Sequence, residues 1–202
     1  MQSTQFERVF RRLATILAVA IFSLCLIYIT TGILLSFYYE PTAGGAYASL
    51  KTINTEIPYG WLFRRAHDLA GNAVIMVALV QIVVMFLGRQ FRKSWLTAWI
   101  SGIFLTLSVI GLDWTAMLLD WTQEGYWRFS IELGTIEAIP FIGGQLRDIL
   151  TGGGAISTVT VAHLNTIHSY ILTVAAIILA VVHLSALIWQ EQQMYKVTAF
   201  TS

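Results

Sequence analysis

Charge is scarce in this chain of 202 residues: Asp, Glu, Lys and Arg make up 11% of it, whereas hydrophobic residues make up 56%. A soluble domain of this length carries more charge on its surface, so the composition excludes an ordinary water-soluble fold and indicates lipid as the solvent. The net charge of +1 gives no reason to expect a nucleic acid partner. The single cysteine, Cys25, excludes an internal disulfide and any metal or c-type haem motif that needs two cysteines.

Four long apolar segments are present instead, over about residues 13–37, 69–87, 96–119 and 159–189. Each is close to the roughly 20 residues that a membrane-spanning helix requires, and helices satisfy their own backbone hydrogen bonds in lipid. The loop after the third segment alternates short apolar stretches with Gly and Pro, which predicts short helices along the membrane surface. We therefore predict an all-α integral membrane protein. Residues 1–202 are expected to form one domain, a four-transmembrane-helix bundle with surface helices between its third and fourth helices.

Basic residues predict the orientation of the chain. With four crossings, the positive-inside rule places those near the helix ends on the cytoplasmic or stromal side. We expect a multi-pass protein of a bacterial inner membrane or a thylakoid membrane, with both termini on that side. The basic residues that carry this prediction are Arg8, Arg11, Arg12, Arg89, Arg92, Lys93 and Lys196.

The histidines His67, His168 and His183 suggest two sites at different depths of the membrane. His67 opens the second segment and His168 lies near the start of the fourth, so their depths match on the outer side. Imidazoles from two facing helices of a bundle are the usual axial ligands of an electron-transfer haem. His183 follows His168 by 15 residues, which is about 22 Å along a helix. From the pattern alone, hydrogen-bonded core histidines remain the alternative.

The inner site is expected to lack one ligand. The partner of His183 should lie on the second helix about four turns after His67, and the residue there is Gln81. An amide oxygen is a poor ligand for haem iron. An inner haem would be five-coordinate, weakly six-coordinate or absent, and the alternative role of Gln81 is a hydrogen bond between helices, with His183 itself as a partner.

Several strings in the chain resemble the cytochrome b6 family, whose members are the four-helix haem subunits of cytochrome b6f complexes. These strings are TGILLSFYYEPTAGGAYASL, PYGWLFRRAH, EGYWRFSIELGTIEAIPFIGG and TIHSYIL. The resemblance implies two stacked b haems. It implies that His67 and His168 are the axial ligands of the outer haem, that Arg64 pairs with a haem propionate and that the porphyrin lies against Gly32. At the corresponding glycine of the third helix this chain has Ala116.

The resemblance is weaker around the inner haem. His183 and Gly102 match residues of the family, but Gln81 stands in place of a histidine ligand. Four further family positions, a glycine and three basic residues, are changed here to Ala18, Val84, Ile188 and Trp189.

Two more departures concern the covalent haem and the quinol pocket. Ile16 stands where the family has the cysteine that anchors a c-type haem, so no covalent c-type haem is expected. Asp120 and Thr122 replace a proline and an aspartate near the quinol-oxidation pocket. Asp113, inside the third helix, is interpreted as a carboxylate bonded to a neighbour, with proton relay as the alternative. His163 is interpreted as an interfacial residue.

The leading hypothesis is a haem b-binding electron-transfer subunit of a membrane quinol/quinone oxidoreductase, with an intact outer site and an altered inner one. Such a chain is a component of an enzyme rather than a complete one. The expected partners are quinone or quinol, membrane lipids and other subunits of a redox complex, of the subunit IV or Rieske type. The alternatives are an accessory or structural subunit with one haem or none, and a one-haem electron conduit to the quinone pool.

Overall fold

The computed structural model describes residues 5–88 and 95–199, and within these ranges every regular element is helical. The helices are α1 (Gln5–Ser36), α2 (Ala46–Thr55), α3 (Gly60–Leu87), α4 (Leu96–Leu119), α5 (Gln123–Glu137), α6 (Gly143–Thr151), α7 (Thr158–Thr166) and α8 (Thr173–Ala199), with a π-helical turn at Ile167–Leu172 between α7 and α8.

Four stretches are long and apolar enough to cross a membrane: Gln5–Ser36, Gly60–Leu87, Leu96–Leu119 and Thr158–Gln193. They confirm the predicted all-α fold with four spanning helices, and α5 and α6 are the helices expected between the third and fourth. The second spanning helix begins at Gly60 rather than near residue 69, because its first turns contain charged residues that a search for apolar runs leaves out. Arg89, Arg92 and Lys93 lie outside the described residues, so the orientation of the chain remains a prediction.

Helix α2 lies between the first and second apolar segments, where no helix was predicted from the sequence. Its buried residues are Ala46, Leu50 and Ile53, a spacing of four and three that gives one apolar helical face. The helix has 10 residues, whereas the sequence was searched for apolar segments of roughly 20 residues, the length of a membrane-spanning helix.

The chain divides into two compact units. Unit 1 comprises the described parts of Met1–Tyr28, Leu69–Ile110 and Val174–Ser202, and unit 2 comprises Ile29–Asp68 and Gly111–Thr173. Unit 1 has a core of Ala14, Ala18, Val84, Met85, Trp95, Ala98, Ala186 and Leu187. Unit 2 has a core of Ala46, Leu118, Leu119, Phe129, Leu133, Val161 and Leu164. That the whole chain is a single domain stays a prediction.

Helix ends in unit 2 are set by local capping. The Thr122 side chain accepts a hydrogen bond from the Gly125 amide at the start of α5. Ser157 and Thr160 form a reciprocal capping box at the start of α7. Gly152 ends α6 at φ 74°, a conformation that glycine adopts without steric cost. These caps satisfy backbone groups that have no partner inside the helix.

Candidate functional site

Unit 2 brings together two of the predicted site residues, His67 from α3 and His168 from the π-helical turn. Their ring centres are 6.4 Å apart and the ring planes are inclined by 51°. His168 is buried and His67 is half-buried. Two imidazoles from different helical segments thus lie across a short gap.

Hydrogen bonds at the Nδ1 atoms hold both rings. His168 Nδ1 lies 3.0 Å from the Leu112 carbonyl oxygen and 2.9 Å from Thr115 Oγ1, and His67 Nδ1 lies 3.2 Å from Thr31 Oγ1. A carbonyl oxygen can only accept, so Nδ1 of His168 carries the hydrogen and donates it to Leu112. A ligating histidine is normally fixed through its other ring nitrogen in this way, which leaves Nε2 as the ligating atom.

The separation of these rings suits a single metal between them. Two imidazoles that ligate one metal from opposite sides, each at about 2.0 Å, have ring centres roughly 6.3 Å apart, because a ring centre lies about 1.2 Å behind its ligating nitrogen. A Cβ atom added at Gly32 would lie 3.0 Å from His67 Cε1, so α1 approaches the ring only because residue 32 has no side chain. Ala116 is half-buried on α4, one turn after Leu112. The residues of this site fit a haem with two histidine ligands.

The π-helical turn is a local feature that presents His168. In a π turn the backbone bonds join residues five apart, which adds one residue to the turn, and such turns are frequent at functional sites. The side chain of Thr173 follows the same pattern, since its Oγ1 donates to the His168 carbonyl oxygen at 2.7 Å. The sequence carries a trace of this turn: His183 follows His168 by 15 residues, whereas Gln81 follows His67 by 14.

A charged cluster lies beside His67. Arg64 Nη2 is 3.2 Å from Asp120 Oδ1, so the arginine that the resemblance assigns to a propionate has a carboxylate of this chain as its partner. Partial burial raises the pKa of Asp120, Arg64 opposes this shift and Asp68 adds to it. Burial, followed by the charge of Asp120, raises the pKa of Tyr39, whose hydroxyl donates to the Leu119 carbonyl oxygen at 2.8 Å.

Unit 1 contains the second predicted pair, Gln81 on α3 and His183 on α8. Gln81 Nε2 lies 3.0 Å from His183 Nε2. His183 Nδ1 lies 2.9 Å from the Ala98 carbonyl oxygen and 3.3 Å from Ser101 Oγ. Because Nδ1 donates to that carbonyl, Nε2 is the acceptor and receives the amide hydrogen of Gln81. Both ring nitrogens of His183 therefore have partners within the protein.

This second pair does not fit a haem. Ligating nitrogens on opposite sides of one metal lie about 4 Å apart, whereas the two side chains here are in direct contact. Gln81 is 2% exposed and His183 is 1% exposed, so both are enclosed by protein. A Cβ atom added at Gly102 would lie 2.8 Å from His183 Cε1, which places α4 directly against the ring.

Other residues singled out in the sequence have separate positions. His163 is exposed, and its Nδ1 lies 3.1 Å from the Ile149 carbonyl oxygen, which joins α7 to α6. Asp113 is exposed on α4, and Cys25 is buried within α1. Ile16, which the resemblance aligns with the cysteine of a covalent haem, is 63% exposed.

The groups that hold the imidazoles were not predicted from the sequence: Thr31, Ser101, Thr115 and two main-chain carbonyls. Hydroxyl side chains inside apolar segments were the available signal. That signal is ambiguous, because a Ser or Thr in a helix also bonds the carbonyl one turn back; Thr115 does both here. Carbonyl acceptors leave no mark in a sequence.

Comparisons with known proteins reveal relatives of this chain. Residues 9–191 match a protein-family model described as Cytochrome b/b6/petB. The chain is similar to cytochrome b6 of Mastigocladus laminosus, with 33% identity over 73% of this chain and 68% of that protein. It is also similar to cytochrome b6 of Oltmannsiellopsis viridis, with 28% identity over 80% of this chain and 75% of that protein.

A solved structure described as a hyperthermophilic respiratory Complex III contains a chain with a similar fold. The TM-score is 0.74 and the identity is 26% over 92% of this chain. The match covers 48% of the other chain, so this chain spans about half the length of that relative.

Proposed function

This chain belongs to the cytochrome b/b6 family, and from that premise we propose that it is a haem b-binding electron-transfer subunit of a membrane quinol oxidoreductase. The observation that carries the proposal is the separation of 6.4 Å between the rings of His67 and His168. That distance matches the value of roughly 6.3 Å expected for two imidazoles on one metal.

His67 and His168 are the proposed axial ligands. A b haem bound between two imidazoles supplies one-electron redox chemistry at its iron. The protein's part is to fix the ligands: Thr31 contacts one ring, and the Leu112 carbonyl and Thr115 hydroxyl contact the other. An imidazole that donates its Nδ1 hydrogen to an acceptor is a more basic ligand, which favours the oxidised metal.

Arg64 is proposed to bind a propionate of this haem while it also contacts Asp120. A guanidinium carries five N–H donors in a planar fork, and the bond to Asp120 involves Nη2. Donors therefore remain for a second carboxylate, and a planar fork suits that geometry. Gly32 is proposed as the place where the porphyrin lies close to α1.

The proposed electron source or sink is quinone or quinol, and the proposed setting is a multi-subunit redox complex. The relative of similar fold is described as a respiratory Complex III, and we propose that partner subunits, of the subunit IV or Rieske type, complete the quinol site of this chain. We further propose that both termini face the cytoplasm or stroma, as the basic residues of the sequence predict.

Haem content measured on the purified full-length chain tests the proposal. We expect a pyridine haemochrome of b type and a low-spin spectrum, both lost in His67→Ala and in His168→Ala. His163→Ala is the matched control, because this exposed histidine lies in the same unit and bonds only a backbone carbonyl among the contacts described above. An unchanged spectrum in His67→Ala would refute the assignment, and a wild-type chain without haem would favour an accessory or structural subunit.

A further inference from the structure

Helix α4 presents the same local framework to two histidines. Each histidine donates from Nδ1 to a main-chain carbonyl of α4. Three residues after that carbonyl, α4 has a Ser or Thr whose hydroxyl contacts the same nitrogen. The next residue of α4 is Gly or Ala. The framework residues are Ala98, Ser101 and Gly102 around His183, and Leu112, Thr115 and Ala116 around His168. The two positions differ in what faces Nε2 of the histidine.

At His183 that place is taken by the amide of Gln81. The contact of 3.0 Å between the two Nε2 atoms is a full hydrogen bond, and it uses the lone pair that a metal would need. The acceptor oxygen of the same amide, Gln81 Oε1, is buried without a partner among the described residues. The Gln81 amide therefore donates to His183 although its own oxygen has no donor among the described residues.

The surroundings of the pair are an ordinary packed core. Ala98, whose carbonyl accepts from His183, belongs to the same hydrophobic cluster as Ala18, Val84 and Leu187. Ala18 is 2% exposed and Val84 is 6% exposed. By contrast His67, Gly32 and Ala116 of the first site are only half-buried. A porphyrin needs an open slot beside its ligands, and the first site retains accessible surface where the second has side chains in contact.

We propose that Gln81 and His183 form a hydrogen-bonded link between α3 and α8 that closes this position to haem, so that the chain binds haem only between His67 and His168. This inference rests on the proposed function for the occupied site. Its consequence is a restricted electron path. Without a second haem in the chain, an electron received at the His67 site must leave from that site, to a quinone or a partner subunit that reaches it.

The test is haem per chain in the purified full-length protein and in two single variants. We expect one haem in the wild type, loss of it in His67→Ala, and one haem retained in His183→Leu. Two haems in the wild type, or loss of haem in His183→Leu together with its retention in His67→Ala, would overturn the closure of the second site. A wild type without haem would overturn the proposed function but would agree with a closed second site.

A second measurement covers the case in which His183→Leu fails to fold. Gln81→Leu removes the amide and leaves His183 Nε2 without its donor, so we expect a lower melting temperature with one haem still bound. In the double variant Gln81→Leu/His183→Leu the buried polar pair is absent, and most of the lost melting temperature should return. A fall in haem content in Gln81→Leu, or two separate one-electron waves in a redox titration of the wild type, would contradict the proposal.

Discussion

Gly32 and Gly71 offer a matched pair of substitutions that isolates the role of His67. A Cβ atom at Gly32 would lie 3.0 Å from His67 Cε1, and a Cβ atom at Gly71 would lie 3.0 Å from Tyr28 Cε2. Both glycines lie inside long helices, at α1 and α3. The two Gly→Ala variants therefore share the change in helix propensity and the closeness of the new contact, and they differ in which ring is displaced.

The expected magnitudes follow from these contacts. Alanine gains about 1 kcal/mol over glycine in a helix interior, whereas added atoms in a packed site cost about 1–3 kcal/mol. Each variant should thus change stability by between nothing and about 2 kcal/mol. Carbon atoms prefer separations of about 3.5–4.0 Å, so the facing ring must move by roughly 0.5 Å. That shift reaches the limit of about 0.5 Å within which a functional site must hold its groups. Loss of support for a metal ligand costs about tenfold in affinity, or about 1.4 kcal/mol.

The assay is haem content and the low-spin fraction of both variants, together with their melting temperatures. We expect similar melting temperatures and a loss of haem or of low-spin signal in Gly32→Ala alone. Identical haem spectra in the two variants would refute the reasoning, because a displaced His67 would then have no effect on the cofactor. Equal losses in both would show that general packing, and not the ligand, controls haem binding.

Three further predictions concern the supports of the site and its charged neighbour. Thr115→Val removes a hydroxyl 2.9 Å from His168 Nδ1. The imidazole becomes a less basic ligand, so the midpoint potential of the haem should rise in a redox titration. An unchanged potential would contradict this. Thr173→Ala removes the bond to the His168 carbonyl and should reduce low-spin haem, whereas Thr166→Ala, which removes an ordinary bond one turn back on the same segment, should not. Partial burial raises the pKa of Asp120 above 3.8, so the folded chain binds this proton more tightly than the unfolded chain. Its stability should therefore fall as the pH rises through and above that value. Asp120→Asn should remove this fall in melting curves recorded between about pH 4 and 7.

The spanning helices could be predicted because lipid imposes a length and a composition on them. The third spanning helix shows this most clearly, since its predicted bounds of 96–119 coincide with Leu96–Leu119. Helix ends with charged side chains were harder to locate, and α3 begins at Gly60 for that reason. Helix α2 is stabilised by packing of one narrow face, which a window suited to membrane thickness does not detect.

The site was predictable as far as residue spacing determines it. His67 and His168 were expected at one depth because each lies near the outer start of its segment. The register of Gln81 with His183 was expected from the rise of about 1.5 Å per residue in a helix. The distance between rings, the carbonyl acceptors and the π-helical turn depend on how helices pack, which spacing does not determine. The bond between Arg64 and Asp120 joins residues 56 positions apart, and its partners become neighbours only in the folded chain.

Glutamine at position 81 supplies a hydrogen-bond donor that an aliphatic residue would lack. His183 keeps its Nδ1 bond to Ala98, so its Nε2 remains an acceptor in a residue that is only 1% exposed. An unsatisfied buried acceptor costs about 1–3 kcal/mol, and an aliphatic residue at position 81 would leave it in that state. A glutamine amide supplies the missing N–H at 3.0 Å, and its length spans the gap between α3 and α8. The amide oxygen, Gln81 Oε1, has no partner among the described residues, so the pair satisfies the histidine but not the whole glutamine amide.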